Sequence, residues 1–130
     1  MTVDMGALRR RVALGMAVFT VSGLLALAAP GSAQAASVCP GREVATLSFS
    51  TGSVHVFRRG DYICAYTAPK TPGAKRTMSV SVQARGNRPV VDKGSYIRRA
   101  GPVTVHVGHR CVRIKGVVAG GSVGSGWMLC

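Results

Sequence analysis

Four cysteines, three histidines and four acids are the groups in this 130-residue sequence from which covalent, metal or acid–base chemistry would have to be built. The cysteines, Cys39, Cys64, Cys111 and Cys130, are too far apart for the close pairs of a structural zinc site or a thiol–disulfide redox motif. In so short a chain they read as oxidised staples. Of the possible pairings, Cys39 with Cys64 and Cys111 with Cys130 is expected, because it fastens both ends of the chain. A catalytic thiol would leave an unmatched cysteine.

The remaining chemistry is sparse. Beyond residue 36 the acids are Glu43, Asp61 and Asp92, and the imidazoles are His55, His106 and His109. A glycosidase needs two carboxylates flanking the scissile bond. Here Glu43 follows the Cys39-Pro40-Gly41 turn, and Asp61 and Asp92 are expected in turns, where short acids stabilise the reversal. A serine nucleophile needs a base and an orienting acid. Gly121-Ser122-Val123-Gly124-Ser125-Gly126 has the look of a nucleophile elbow but lacks the strand-to-helix setting. His106 and His109 have a spacing that suits a metal on a helix, yet they straddle a strand end at Gly108, so no metal site is expected. No phosphate loop or dinucleotide fingerprint is present. The expectation is a protein without catalytic residues, metal or cofactor.

Charge is the feature that stands out. The sequence has 17 Lys and Arg against 4 Asp and Glu, a formal net charge of +13. No acid follows Asp92, and that stretch carries Lys93, Arg98, Arg99, Arg110, Arg113 and Lys115. A second group comprises Lys70, Lys75, Arg76, Arg85 and Arg88. Such a field attracts polyanions and is screened by salt. Arg98, Arg99, Arg110, Arg113 and Lys115 are the expected polyanion-binding residues, with Arg113 and Lys115 on one face of a strand and Arg98 and Arg99 preceding a neighbouring strand. Recognition of nucleic acid would call for aromatic platforms. Phe49, Phe57, Tyr62, Tyr66, Tyr96 and Trp127 are the candidates, and most of them are expected in the core.

The elements that must position these groups read as strands. Ala45, Leu47 and Phe49 share one face, as do Val54 and Val56. Ile63 and Ala65 lie opposite Tyr62, Cys64 and Tyr66. Met78, Val80 and Val82 alternate with polar residues, as do Val103, Val105 and Val107, and then Val112 and Ile114. Period-two alternation of β-branched and aromatic residues marks half-buried strands. Turn signals separate them at Thr51-Gly52, Arg59-Gly60-Asp61, Pro69 to Gly73, Arg85 to Pro89, Lys93-Gly94 and Gly108-His109. No helical stripe runs through residues 37–130. The fold class expected is all-β, a small disulfide-stapled sandwich or barrel, with the glycine-rich segment from Val117 to Trp127 as an irregular lid tied down by Cys130.

Residues 1–36 read as a signal peptide. Arg9, Arg10 and Arg11 precede an apolar run from Val12 to Ala29, which Pro30 and Gly31 break, and Ala33-Gln34-Ala35 is a small-x-small cleavage site. Residues 37–130 form one exported domain with no membrane span after cleavage at Ala35 or Ala36. Export also explains the cysteines, since disulfides persist outside the cytoplasm.

Three segments then carry a resemblance. Gly94-Ser95-Tyr96-Ile97-Arg98-Arg99-Ala100-Gly101-Pro102-Val103, Arg110-Cys111-Val112-Arg113 and the closing Trp127-Met128-Leu129-Cys130 are similar to spore-associated protein A and its relatives, small exported proteins of spore-forming actinomycetes. The early Cys39 and the tyrosine-flanked Cys64 fit the same likeness. It implies export and association with aerial hyphae or spores, and it supplies no catalytic residues. The functional expectation is a non-enzymatic spore- or cell-surface-associated protein that adheres to anionic wall polymers through a basic face. The alternative is a secreted inhibitor or toxin-like effector acting on another protein, with Pro69 to Arg76 as its exposed loop. No cysteine between Cys64 and Cys111 braces that loop.

Overall fold

The computed structural model describes residues 37–130; the signal peptide read over residues 1–36 lies outside the described residues. The strands, in chain order, are β1 (Arg42–Phe49), β2 (Gly52–Arg59), β3 (Tyr62–Pro69), β4 (Arg76–Ala84), β5 (Val90–Tyr96), β6 (Ala100–His106), β7 (Val112–Val118) and β8 (Gly121–Gly124). No helix occurs among the described residues. The strands form two antiparallel sheets, β1-β2-β3-β6 and β5-β4-β7-β8.

The alternation in the sequence becomes the two sides of each sheet. In β4, Met78, Val80, Val82 and Ala84 are fully buried while Ser79, Ser81 and Gln83 turn outward. Val54 and Val56 of β2, with Ile63 and Ala65 of β3, meet Val80, Val82, Val112, Ile114 and Val118 in one apolar core. Removing each valine or isoleucine side chain there from water is worth about 1.5–3 kcal/mol relative to leaving it exposed. Gly116 of β7 faces Val54 and Thr67 of the other sheet. A Cβ there would run into the side chain of Val54 and stand 2.8 Å from Thr67 Oγ1.

Two strands stand where turns or irregular chain are expected. Asp92 and Lys93-Gly94 lie within β5, not in a turn. Val90 and Val91 are exposed and Gly94 has no side chain, so this edge strand lacks an apolar alternation to betray it. Gly94 is needed because the Tyr96 ring folds over it, leaving 2.8 Å from a Cβ to the ring. The second case is the tail. Val117 and Val118 close β7, Ala119 and Gly120 turn, and β8 pairs back from Val118 opposite Gly121 to Lys115 opposite Gly124. Backbone pairing makes that hairpin, with Val123 packed against the core and the Thr51 hydroxyl donating to the Val118 carbonyl, and a glycine-rich composition hides it.

Both disulfides follow the sequential pairing, Cys39–Cys64 and Cys111–Cys130, with no free cysteine among the described residues. The first ties the approach to β1 onto the outer side of β3. The second ties the chain end to the residue before β7, beside the backbone bridge between Val112 and Met128.

Candidate functional site

The outer surface of the β5-β4-β7-β8 sheet is built by register. Antiparallel partners share a face, and Lys93 of β5 lies opposite Ser79, which lies opposite Val117. One step along, Val91 lies opposite Ser81 and Ser81 opposite Lys115; Gln83 then lies opposite Arg113. Lys93, Lys115 and Arg113 therefore project from one serine-rich face with no carboxylate on it. At its far end Trp127 is half-buried, with the Arg113 guanidinium 4.3 Å and that of Arg85 5.4 Å from its ring centre. Cation–π contacts of this kind are worth about 0.5–1 kcal/mol at exposed sites. Lys93 and Lys115 lack any such anchor and keep their charge for solvent or ligand.

The five expected polyanion-binding residues do not lie together. Arg113 and Lys115 belong to this face. Arg110 stands in the turn before β7 and donates to the carbonyl oxygens of Val107 at 3.1 Å and His106 at 3.0 Å, so its guanidinium braces the turn. Arg98 and Arg99 lie in the connection between β5 and β6. The strand they precede, β6, belongs to the other sheet and is not hydrogen-bonded to β7. Arg98 lines a shallow cavity of about 590 Å³ with Pro69, Pro72 and the exposed Ile97. Lys93, Arg85 and Trp127 are the members of the basic face that strand-by-strand reading does not group: the order β5-β4-β7 brings in Lys93, and the Trp127 ring brings Arg85 beside Arg113.

The outer surface of the β1-β2-β3-β6 sheet is different. Of the aromatics expected in the core, Phe49 and Tyr96 pack against it, but Phe57, Tyr62 and Tyr66 line the outward side of β2 and β3 and none of these three is fully buried. His55 and Tyr66 have ring centres 5.0 Å apart, Phe57 and Tyr66 6.1 Å, and Tyr62 meets His106 at 5.0 Å. The core is filled by valine, alanine, isoleucine and methionine, which pack in the narrow space between sheets.

Glu43 joins this surface through a β-bulge. The register between β1 and β2 shifts between Glu43 and Ala45, so Glu43 is turned to the same side as Thr46. Its Oε2 accepts from the Thr46 hydroxyl at 2.7 Å and lies 2.8 Å from His55 Nδ1. His55 Nε2 lies 3.1 Å from Ser53 Oγ. Thr46 and His55 together hold the Glu43 carboxyl below its ordinary range by hydrogen-bonding its charged form. Glu43 is thus a hydrogen-bonded partner, not a solvated turn acid. Asp92 likewise has fixed partners, accepting from the Tyr96 hydroxyl and, at 2.7 Å, from the Gly101 N–H. That bond favours the neutral phenol and raises the Tyr96 pKa.

His106 Nε2 lies 3.9 Å from Asp61 Oδ2 on the surface, and His109 is not part of that pair. Among the described residues no three His, Cys, Asp or Glu side chains converge as metal ligands would. No helix among them is long and apolar enough to cross a membrane. The two disulfides are compatible with an extracellular setting. No family model, curated protein or solved structure matches the chain.

Proposed function

We propose that the chain is an exported, non-enzymatic protein of the spore-associated protein A kind, held at a spore or cell surface by anionic wall polymers that dock on the outer face of the β5-β4-β7-β8 sheet. The observation that carries this reading is the acid-free face on which Lys93, Lys115 and Arg113 project together. A flat array of cations between serine hydroxyls suits a repeating anionic chain, because charge attracts and the hydroxyls donate to phosphate or carboxylate oxygens. Export follows from the signal peptide read in residues 1–36 and agrees with the paired cysteines.

The test is adhesion of the secreted protein to purified anionic wall polymer across a salt series. The screening length falls from about 10 Å at 0.1 M to about 3 Å at 1 M, so binding through exposed charge declines steeply over that range. Release with salt, together with recovery from the wall or spore fraction of a producing culture, supports the reading. Binding indifferent to salt, or recovery wholly in the medium, overturns it.

A further inference from the structure

We propose that Ser53 is an activated nucleophile toward aryl and other activated acyl esters, with His55 as its base and Glu43 as the residue that positions the base. The chain of contacts runs Ser53 Oγ to His55 Nε2 at 3.1 Å, His55 Nδ1 to Glu43 Oε2 at 2.8 Å, and Thr46 Oγ1 to the same oxygen at 2.7 Å. With Nδ1–H donating to Glu43, the tautomer leaves Nε2 free to accept the Ser53 proton. This is the nucleophile, base and orienting acid of a serine acyl-transfer site, recognised by geometry and role and not by order in the chain. The order here is Glu43, His55, Ser53 only in space; Ser53 and His55 are two apart on β2, and the bulge beside Glu43 delivers the acid.

The surroundings set the substrate class. Tyr66 lies beside His55 and Phe57 beside Tyr66, and the Tyr66 ring is a surface against which an aryl group can stack. β2 lies between β1 and β3, so its N–H groups are committed to two ladders and supply no oxyanion hole. The developing negative charge must therefore leave with the departing group, which restricts Ser53 to esters with good leaving groups. In the step itself the Oγ–acyl bond forms and the acyl–oxygen bond of the leaving group breaks. The hydroxyl proton passes to His55 Nε2 and then to solvent, and the phenolate departs. Hydrolysis of the acyl-serine meets the same want of oxyanion support, so the product is a long-lived acyl-protein and not a turnover cycle.

The secreted, disulfide-bonded protein is treated with p-nitrophenyl acetate and, separately, with a fluorophosphonate, and modified peptides are mapped by mass. Labelling of Ser53 well ahead of Ser79 and Ser81, which are serines on the other sheet, is the expected result. His55→Ala and the bulkier His55→Gln each slow labelling of Ser53 by about 100-fold or more, and added imidazole restores part of the rate in His55→Ala. Besides Ser53 on its own strand, the groups facing His55 are Glu43 from β1 and Tyr66 from β3. Glu43→Ala therefore slows labelling of Ser53, and the conservative Glu43→Gln, whose amide oxygen can still accept from Nδ1–H, restores part of the rate. Ser53 labelled no faster than Ser79, or labelled equally in both His55 variants while circular dichroism shows them folded, overturns the assignment.

Discussion

The inner sides of β2 and β4 carry the same kind of residue, Val54 and Val56 against Val80 and Val82. On their outer sides His55 and Phe57 stand against Ser79 and Ser81. The sheet containing β2 adds Tyr62, Tyr66 and the Glu43 carboxylate; the sheet containing β4 adds Lys93, Arg113 and Lys115. One core specification, small aliphatic residues at every second position, thus supports two unrelated exteriors. The outer faces are free to diverge because alternation decouples them from packing. Net charge describes neither exterior: the cations are spread over the molecule, and strand order sets three of them, Lys93, Arg113 and Lys115, on one acid-free face.

The largest effects expected from breaking this contrast come from the disulfides. Replacing Cys111 and Cys130 by serine, or Cys39 and Cys64, each costs about 3 kcal/mol in the loop-entropy picture for closures of 19 and 25 residues. Chemical denaturation measures that loss. Polymer binding separates the two variants: freeing Cys130 loosens Trp127 and its contact to Arg113 and weakens adhesion, whereas freeing Cys39 leaves the basic face in place.

Next in size is the effect of charge placement. Changing Lys93, Arg113 and Lys115 to Gln lowers affinity for anionic polymer by about tenfold or more, with a shallower salt dependence. Changing Arg42, Lys70 and Lys75 to Gln removes the same formal charge elsewhere and has a smaller effect. Equal losses in the two triple variants, measured side by side, would show that total charge and not the face governs binding.

A smaller effect sits between the sheets. Thr67 is fully buried, and its Oγ1 has no hydrogen-bond partner among the described residues. Thr67→Val keeps the volume and removes an unsatisfied hydroxyl, so it stabilises by about 1 kcal/mol in urea unfolding. Both exteriors are unchanged by it, which makes it the control for effects that pass through the core.

The smallest effect distinguishes the faces by pH. The Glu43 carboxyl is held below its ordinary pKa in the folded chain, so its contribution to stability is present above the unfolded value and lost as pH falls through the folded one. Glu43→Gln flattens the acid side of the thermal stability profile. The Lys93, Arg113 and Lys115 replacements leave that profile unchanged in shape.

The strands β2, β3, β4, β6 and β7 were legible because one side of each is buried and its side chains show it. β5 and β8 were not, because both are edge strands held by backbone pairing, with Gly94 and Gly121 where an apolar residue would have signalled them. The disulfide pairing was legible from the need to fasten both ends. Arg113 and Lys115 were legible as one face of one strand. Lys93 joins them only through the strand order β5-β4-β7, which local periodicity does not contain, and the same order separates Arg98 and Arg99 from them. Glu43 beside His55 was hidden for a further reason. The Thr51-Gly52 turn sets Thr46 opposite His55, but the bulge that turns Glu43 toward the ring leaves no mark in the composition.

The Asp92 carboxylate has a bearing on how the open edge of β6 is finished. β6 is an edge strand, and an edge strand with free N–H groups is a template for zipping onto a second chain. Asp92 reaches across from β5 and takes the Gly101 N–H as a side chain, not as a neighbouring strand. The same carboxylate also accepts from the Tyr96 hydroxyl, so it is fixed from two sides. One donor of that edge is therefore taken by a side chain from the facing sheet, which removes one rung from any ladder a second strand could build there.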